Sequence, residues 1–568
     1  MIEARRQVAG LIEGACGLKV GLEEIRDSPA ADLASTVAFK LASERKENPA
    51  GIAKKIAGKI RPRGLVKNVD ASGGYLNFHL DYEEFTKHVL SEVLAGGYGR
   101  GALKKEKIVL EHTSINPSGP IHVGRLRNTL IGDSLRRILE YAGYDVETHY
   151  YVNDIGKQIA MIALGLEEDT PTDKTLEREY ERYKKKEDFQ VFFKYVAANK
   201  RFEEDDEFKN RVQELIRHAE EGNVSSLEKI TNAAEICLDG QKETFNRLGV
   251  KFDAYDYEST FLTDGSVKKV LNQLKKNPRW QTSDAGSGLD LTEFGIERKT
   301  GFTVLERPDG TSVYSSRDIA YHQKKALHGD RLINVLGEDH KMQFQELKTI
   351  LEKMMGFKKK LEVVHFSFVN FEGQELSTRK GQTAPVDMLL DEAEERAEKE
   401  VKTRGIGDET TVPMIGVGAV KYHIIKTDPN KPITFRWEDA LSFDGDAAPY
   451  IQYAHARSCR IVEKSGVEVS QIRLDDISFA LTEEEKSLIK LVAAFPERVE
   501  KSAADLKPNY IATYLYELAA SYSRFYKNCQ VLDVDEKTMK RRLLLVHAVQ
   551  EIIREGLNLI GVEAPQRM

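Results

Sequence analysis

Residues 107–152 confine the fold more tightly than any other part of the chain. KIVLE, 107–111, is a short apolar strand. Leu126, Leu130, Ile131, Leu135, Ile138 and Leu139 then recur at helical spacing, Gly143 closes that helix, and DVETHYYVND is a second strand. A strand, a helix and a following strand of these lengths make a parallel crossover unit, so the fold class is α/β with a parallel sheet. Between the first strand and the helix lies EHTSINPSGPIHVGRLRN, residues 111–128, crowded with proline, glycine, histidine and hydroxyl side chains. Parallel sheets place their ligands at such strand-to-helix turns.

At 568 residues the chain exceeds a single core and is expected to hold three or four domains. No apolar run approaches the roughly 18 residues of a membrane span, and MIEARRQVAG lacks a signal-peptide core, so a cytoplasmic location without membrane attachment is expected. Cys16, Cys237, Cys459 and Cys529 are scattered without metal-ligand spacing, which predicts reduced thiols, no zinc and no bound structural metal. The net charge of −7 does not point to nucleic acid, yet phosphate contacts need only a few Lys and Arg on one face.

Residues 1–100 mix helical segments with GGYLNFHL, a glycine turn leading into an alternating strand, and AGGYGRGALKK reads as a linker. From 106 to 445 strands and helices alternate, interrupted at about 165–235 by a charged stretch that reads as a solvated helical insertion. From 446 to 568 the periodicity is mostly helical. The architecture is therefore an α/β core between an N-terminal α+β module and a C-terminal all-α bundle.

A helix N-terminus attracts anions. His122, Gly124 and Arg125 stand at such a terminus: His122 can donate to a phosphate oxygen, Gly124 admits close approach, and Arg125 offers a charged fork. For H-x-G alone an ordinary helix cap is the simpler reading, but the longer string E-x-x-S-x-N-P-x-x-P-x-H-x-G is more than a cap needs. Tyr314 and Asp318, in SVYSSRDIAYHQKK, share one face of a helix, and a carboxylate with a phenol can take a guanidinium in a fork.

The 111–128 string resembles the HIGH signature of class I aminoacyl-tRNA synthetases, in the extended form of the arginyl-tRNA synthetases; Arg125 stands where the signature has its last histidine. QELSTRKGQ, 374–382, resembles a degenerate KMSKS loop. YVNDIGKQ, 151–158, and SVYSSRDIAYHQKK resemble further arginyl-type blocks, and YIQYAHARS with the helices after it resembles the anticodon-binding domain. The resemblance covers nearly the whole chain apart from the insertion. It implies a Rossmann-type catalytic domain, L-arginine, ATP with Mg²⁺ and tRNA(Arg) as ligands, and a monomer by default. It places Pro120, His122, Gly124, Arg125, Gly337, Asp339, His340, Leu376 and Ser377 around ATP, with His122, Arg125, Ser377, Arg379 and Lys380 acting on the phosphates. Glu111, Ser114, Asn116, Tyr314 and Asp318 would hold arginine. Tyr75, Asn77 and Phe78 would meet the tRNA elbow, although the strand's alternation equally allows Tyr75 or Phe78 to be core, and Tyr453 and Arg457 would meet the anticodon loop. Members of this family that lack a complete KMSKS loop often carry a lysine at the position that is Gly119 here, so activation of arginine only with tRNA bound is expected. Two other classes fit part of the sequence: another HxGH nucleotidylyltransferase, which leaves the helical C-terminal region without a purpose, and an inactive synthetase-like RNA-binding protein, which the altered signatures allow.

Overall fold

The computed structural model describes residues 1–371 and 384–568. Leu376, Ser377, Arg379 and Lys380 therefore lie outside the described residues. The N-terminal module opens with α1 (Ile2–Cys16), whose Ala4, Val8, Leu11 and Ile12 recur at helical spacing and are buried. β1 (Ile25–Ser28), β2 (Ala31–Ser35), α2 (Val37–Arg45), α3 (Pro49–Lys59), β3 (Val66–Ser72) and β4 (Tyr75–Leu80) follow. The strands form an antiparallel sheet ordered β1-β2-β4-β3. Asn48 starts α3 by accepting from the Ala50 N–H, with Pro49 preset in the first turn. Asp81 does the same for α4 (Tyr82–Leu94).

The central unit is built on β5 (Lys107–Glu111), α5 (Val123–Tyr141) and β6 (Asp145–Val152). A helical excursion follows: α6 (Lys157–Glu167), α7 (Lys174–Glu179), α8 (Glu187–Glu204), α9 (Asp206–Glu220) and α10 (Val224–Arg247). The chain then enters β7 (Ala254–Tyr257), α11 (Glu258–Thr263) and α12 (Ser266–Leu274). A small antiparallel sheet comes next, made of β8 (Trp280–Ser283), β9 (Gly286–Leu289) and β10 (Thr303–Glu306). α13 (Tyr314–Lys325), β11 (Arg331–Gly337), α14 (Lys341–Thr349) and β12 (Lys360–Phe366) complete the unit. Among the described residues the main sheet is parallel throughout, in the order β12-β11-β5-β6-β7. β13 (Val369–Phe371) pairs in parallel with β14 (Ile433–Phe435), flanked by α15 (Val386–Arg404), α16 (Thr411–Ile425) and α17 (Trp437–Ala440).

The C-terminal bundle comprises α18 (Ala448–Ser465), α19 (Glu483–Asp505), α20 (Asn509–Asn528) and α21 (Glu536–Leu559). Thr482 and Glu485 form a reciprocal capping box at the start of α19. α5 lies against the sheet and also against α16, α19 and α21, which is why its polar Asn128, Thr129, Asp133 and Ser134 are buried along with its leucines.

The insertion is not the solvated excursion that its charge suggests. Ile159, Val191, Phe208, Val212, Leu215, Ile230 and Ala234 close a core of their own, and Tyr180, Phe189 and Phe193 make a second cluster. Most of the charged residues face outward, Asp188 and Lys186 excepted, while apolar ones at helical spacing face inward, so composition hid an amphipathic unit.

Candidate active site

β5 is flanked by β6, reached through α5, and by β11, which the chain reaches only later. The C-terminal end of β5 is thus the point where the strand order reverses, and the crevice beyond it is where such sheets bind ligands. The turn there is strained. Thr113 has φ 73° and Ser114 φ 45°, a backbone region that costs on the order of 1–3 kcal/mol per non-glycine residue. The conformation is fixed by buried bonds: Thr113 N–H donates to Asn128 Oδ1 at 3.0 Å, and Thr113 Oγ1 meets Thr129 Oγ1 at 3.2 Å and His112 Nδ1 at 2.8 Å. Burial pushes His112 down to about 4, so its imidazole is neutral.

This turn borders a cavity of about 410 Å³ lined by Glu111, Asn116, Tyr314, Asp318, Asn334 and His340, among others. Tyr314 and Asp318 come from the first turns of α13 and share the face toward it. Asp318 is 48% exposed in its side chain and lies 2.9 Å from His322 Nδ1. Desolvation works to raise its pKa, yet the neighbouring His322, Lys325 and His340 hold the carboxyl below the usual aspartate value.

The other charges around the cavity are matched by protein partners. Glu111 Oε2 accepts from Lys325 Nζ at 2.5 Å and from Asn334 Nδ2 at 3.0 Å, while Ser114 Oγ reaches Oε1 at 3.3 Å. Ser114 also accepts from the Tyr151 N–H at 3.1 Å, so its hydroxyl is used within the protein. Arg317, next to Asp318 in sequence, turns away and is buried between Glu258 Oε1 and Glu220 Oε1, each at 2.9 Å. Desolvation pushes Glu258 up to about 7, opposed by Arg317. Asn153, oriented by its surroundings, donates to Glu258 Oε2 at 2.7 Å and to the Ile155 carbonyl at 2.9 Å. Beneath this layer His149 lies between Asp256 Oδ2 at 2.6 Å and Glu147 Oε1 at 3.0 Å, and Lys107 holds the far oxygen of Glu147 at 2.5 Å. Glu147, His149 and His328 come within ligand reach of one another, but these bonds make them an ion-pair network.

The helix end offers the complementary charge. His122 is the N-cap of α5, with extended backbone (φ −80°, ψ 145°), and His122, Gly124 and Arg125 are exposed. Val123 N–H donates to the Ala384 carbonyl at 3.0 Å and Arg125 N–H to the His122 carbonyl at 2.8 Å. The dipole and the side chains, more than those N–H groups, therefore face the open side. Among the described residues nothing stands within 4 Å of where a Gly124 Cβ would be. Pro120 is buried and shapes the turn without being presented to a ligand. Gly337 is buried at the end of β11, Asp339 is exposed, and His340 reaches the cavity wall. Arg127, one turn into α5, is fully buried. It donates to the carbonyls of Ser367 (2.7 Å), Lys431 (2.8 Å) and Asp428 (3.0 Å), and desolvation lowers its pKa to about 10.

Two further concave surfaces lie away from the sheet. In the bundle, a cavity of about 790 Å³ is lined by Tyr453, Arg457, Arg460, Lys464, Tyr526 and the terminal Met568, among others. The Arg457 guanidinium lies 4.6 Å from the Tyr453 ring centre and 4.5 Å from that of Tyr526. In the N-terminal module, Tyr75 is 47% exposed and stands edge-on to Phe39. Asn77 is buried on the rim and donates to Asp70 at 3.0 Å. Phe78 corrects the sequence reading: with Leu76 and Leu80 it belongs to the core, fully buried, and cannot stack on a base. Alternation put Tyr75 and Phe78 on opposite faces without saying which face was dry. Sequence reasoning missed Glu258, Arg317, Lys325 and Asn334 around the cavity. Arg317 and Lys325 sat inside a quoted block, but their carboxylate partners are 59 or more positions away.

A parallel sheet with a strained turn at its switch point, and a histidine at the head of the following helix, agrees with the class I aminoacyl-tRNA synthetase signature that residues 111–128 resemble. The family model described as class I tRNA synthetases (R), catalytic domain, matches residues 88–437. The models for the arginyl-tRNA synthetase N-terminal domain and the DALR anticodon-binding domain match 5–80 and 451–568. An arginine–tRNA ligase of Methanocaldococcus jannaschii is 40% identical over 565 residues, covering 97% of this chain and 96% of the relative. Another, from Methanothermobacter thermautotrophicus, is 40% identical and covers 100% and 99%. The solved arginyl-tRNA synthetase of Thermus thermophilus superposes with a TM-score of 0.82 at 27% identity, covering 99% of this chain and all of that one. This chain belongs to the arginyl-tRNA synthetase family.

Proposed function

We propose that this chain joins L-arginine to tRNA(Arg) using ATP. The observation that carries the reading is Asp318. Of the carboxylates described around the cavity, it is the one left half open at the sheet's switch point, while Glu111 and Glu258 are taken by Lys325 and Arg317. A guanidinium is the cation that a carboxylate beside a phenol takes in a fork, whereas lysine offers a point charge. Glu111 acts as the paired floor of the site, and Asn116 and Tyr314 complete its wall.

The arginine carboxylate attacks the α-phosphorus of ATP, the bond to the β-phosphate oxygen breaks, and pyrophosphate leaves. A ribose 2′-hydroxyl of the terminal adenosine then attacks the arginyl carbonyl, losing its proton as AMP departs. His122, Arg125 and the dipole of α5 stabilise the charge on the pentavalent phosphorus, and catalysis is alignment plus this stabilisation. Adenosine lies along Gly124 and the Gly337–His340 segment. By sequence, Leu376, Ser377, Arg379 and Lys380 take the rest of the triphosphate. ATP enters as its Mg²⁺ complex, whose metal ligands are mainly phosphate and water oxygens. Residues 446–568 grip the anticodon loop through Tyr453 and Arg457. Residues 1–100 meet the elbow through Tyr75 and Asn77, and 106–445 carry the chemistry. Among the described residues no helix is long and apolar enough to cross a membrane.

The test is arginine-dependent exchange of pyrophosphate into ATP together with charging of tRNA(Arg). Charging is expected. Exchange is expected to be negligible without tRNA and to appear when it is added, because Gly119 leaves no lysine at that turn. Absence of charging with arginine overturns the reading. Vigorous exchange without tRNA overturns only the tRNA dependence.

A further inference from the structure

The 165–235 insertion and the rest of α10, into which it runs, grip the phosphate-binding turn from two sides, and a largely buried lysine lies at the centre of one grip. The first grip is on the turn itself. Gly119, with φ 154°, packs so closely that a Cβ there would stand 3.0 Å from Phe192 of α8. Its carbonyl accepts from Gln241 Nε2 at 2.8 Å, and its N–H lies 3.1 Å from Cys237 Sγ, both on α10.

The second grip is on α15. Residues 384–386, just before and into that helix, are bonded to the histidine segment. Val123 N–H donates to the Ala384 carbonyl at 3.0 Å, Val386 N–H donates to the Ile121 carbonyl at 2.7 Å, and His122 and Pro385 form an antiparallel bridge. The second residue of α15 is Asp387. Its carboxylate meets Lys186 Nζ at 3.1 Å, and Lys186 also donates to Asp188 Oδ2 at 3.0 Å and Thr244 Oγ1 at 2.6 Å. Both carboxylates are buried, and Lys186 is nearly so. Asp188 is seated against α10 at Gly240, where a Cβ would come within 2.3 Å of its backbone nitrogen. Tyr183 and Arg182 add contacts to Asp391 one turn further along α15.

Resting on the synthetase reading, we propose that Lys186 is a positioning residue for His122. It joins two buried carboxylates that would otherwise repel, one on the insertion and one at the head of α15. With Thr244, which donates to the same Asp387 carboxylate at 3.1 Å, and Arg247, which pairs with Asp391 and Glu394, it fixes residues 384–386 and, through their backbone bonds, the histidine segment 121–123. The amino-acid cavity is walled by α13, β11, the end of β5 and Asn116, and none of these is tied to α15 in the bonds described above. Loss of Lys186 therefore moves the phosphate end of the site and leaves the arginine end in place.

The experiment is arginine-dependent pyrophosphate exchange with saturating tRNA, using the full chain. In Lys186→Met, kcat is expected to fall roughly 10²-fold, the cost of a displacement of about 1 Å at a reacting centre. The arginine KM stays within about twofold. Adding Asp188→Asn to Lys186→Met removes the repulsion, and most of kcat is expected to return. If Lys186→Met does not fold, Thr244→Val carries the test, with the same split at about fivefold. An unchanged kcat in a folded variant overturns the proposal. So does a loss fully accounted for by a smaller titrated fraction of active sites, or one in which arginine KM rises with the fall in kcat. A native chain that neither exchanges nor charges overturns the synthetase reading and this proposal together. An active native chain with an indifferent Lys186 overturns the positioning role alone.

Discussion

The cavity at the sheet and the cavity in the bundle are built in opposite ways. At the sheet, about 410 Å³ is surrounded by charges already matched in pairs, Glu111 with Lys325 and Glu258 with Arg317, leaving Asp318 half exposed beside His322. In the bundle, about 790 Å³ is bordered by Arg457 between two tyrosine faces, with Arg460 and Lys464 nearby. Under the proposed function, the first site discriminates a small cation by charge in a confined space. The second offers flat faces and cations to a nucleotide loop, which carries its own planes and phosphates.

The contrast breaks most sharply at Asp318. Asp318→Asn is expected to lower kcat/KM for arginine by roughly 10²- to 10³-fold, since losing one partner of a buried pair costs about 3–5 kcal/mol. ATP binding and tRNA affinity should hardly change. Steady-state kinetics with each substrate varied checks this, and normal arginine kinetics would remove Asp318 from the site.

Glu258 tests whether pre-matched charge is the rule at the sheet. Its pKa is raised to about 7 by burial, so the folded protein binds this proton more tightly than the unfolded chain. A raised carboxylate contributes stability below its unfolded pKa, and that contribution fades as pH rises through the folded one. Between about pH 4.5 and 7 this loss amounts to at most about 3 kcal/mol at 1.36 kcal/mol per unit. Glu258→Gln should flatten that part of the stability–pH curve in chemical denaturation. A curve parallel to that of the native protein would show that Glu258 ionises normally.

In the bundle, Tyr526→Ala or Arg457→Ala is expected to raise the KM for tRNA about tenfold, from a stacking contribution of about 1–3 kcal/mol. Arginine KM should be untouched. An effect on arginine and not on tRNA would reverse the assignment of the two cavities. The smallest change belongs to the N-terminal module. There Tyr75→Ala should weaken tRNA by roughly a few-fold, one exposed stacking face at the low end of that scale. Phe78→Ala should instead destabilise the fold by about 3–5 kcal/mol, as for a buried phenylalanine. Thermal unfolding and tRNA binding measured side by side separate the two.

What could be read from sequence follows the range of the interaction. The strand, helix and strand around 111–128 were legible because periodicity is local, and Tyr314 with Asp318 because four residues make one helical turn. Whether Phe78 was wet or dry depended on what packs over β4. The pairing of Arg317 depended on Glu258 and on Glu220 at the far end of α9. The core of the insertion was overlooked because charge was averaged over segments whose apolar residues all face one way.

Arg127 carries a consequence for the order in which the protein can be made. Its acceptors at Ser367, Asp428 and Lys431 lie 240 to 304 positions downstream, and the bridge to His122 waits for residue 385. A nascent chain can assemble β5, α5 and β6 early, but a guanidinium in the helix that carries the phosphate site then has no carbonyls to receive it. Such non-local closure is slow and falls late. The anchoring of α5 is therefore completed only once about three-quarters of the polypeptide has been made. Truncation between residues 367 and 428 keeps all five strands of the main sheet but leaves Arg127 without acceptors at 428 and 431, and such a fragment is expected to hold α5, and with it ATP, less firmly.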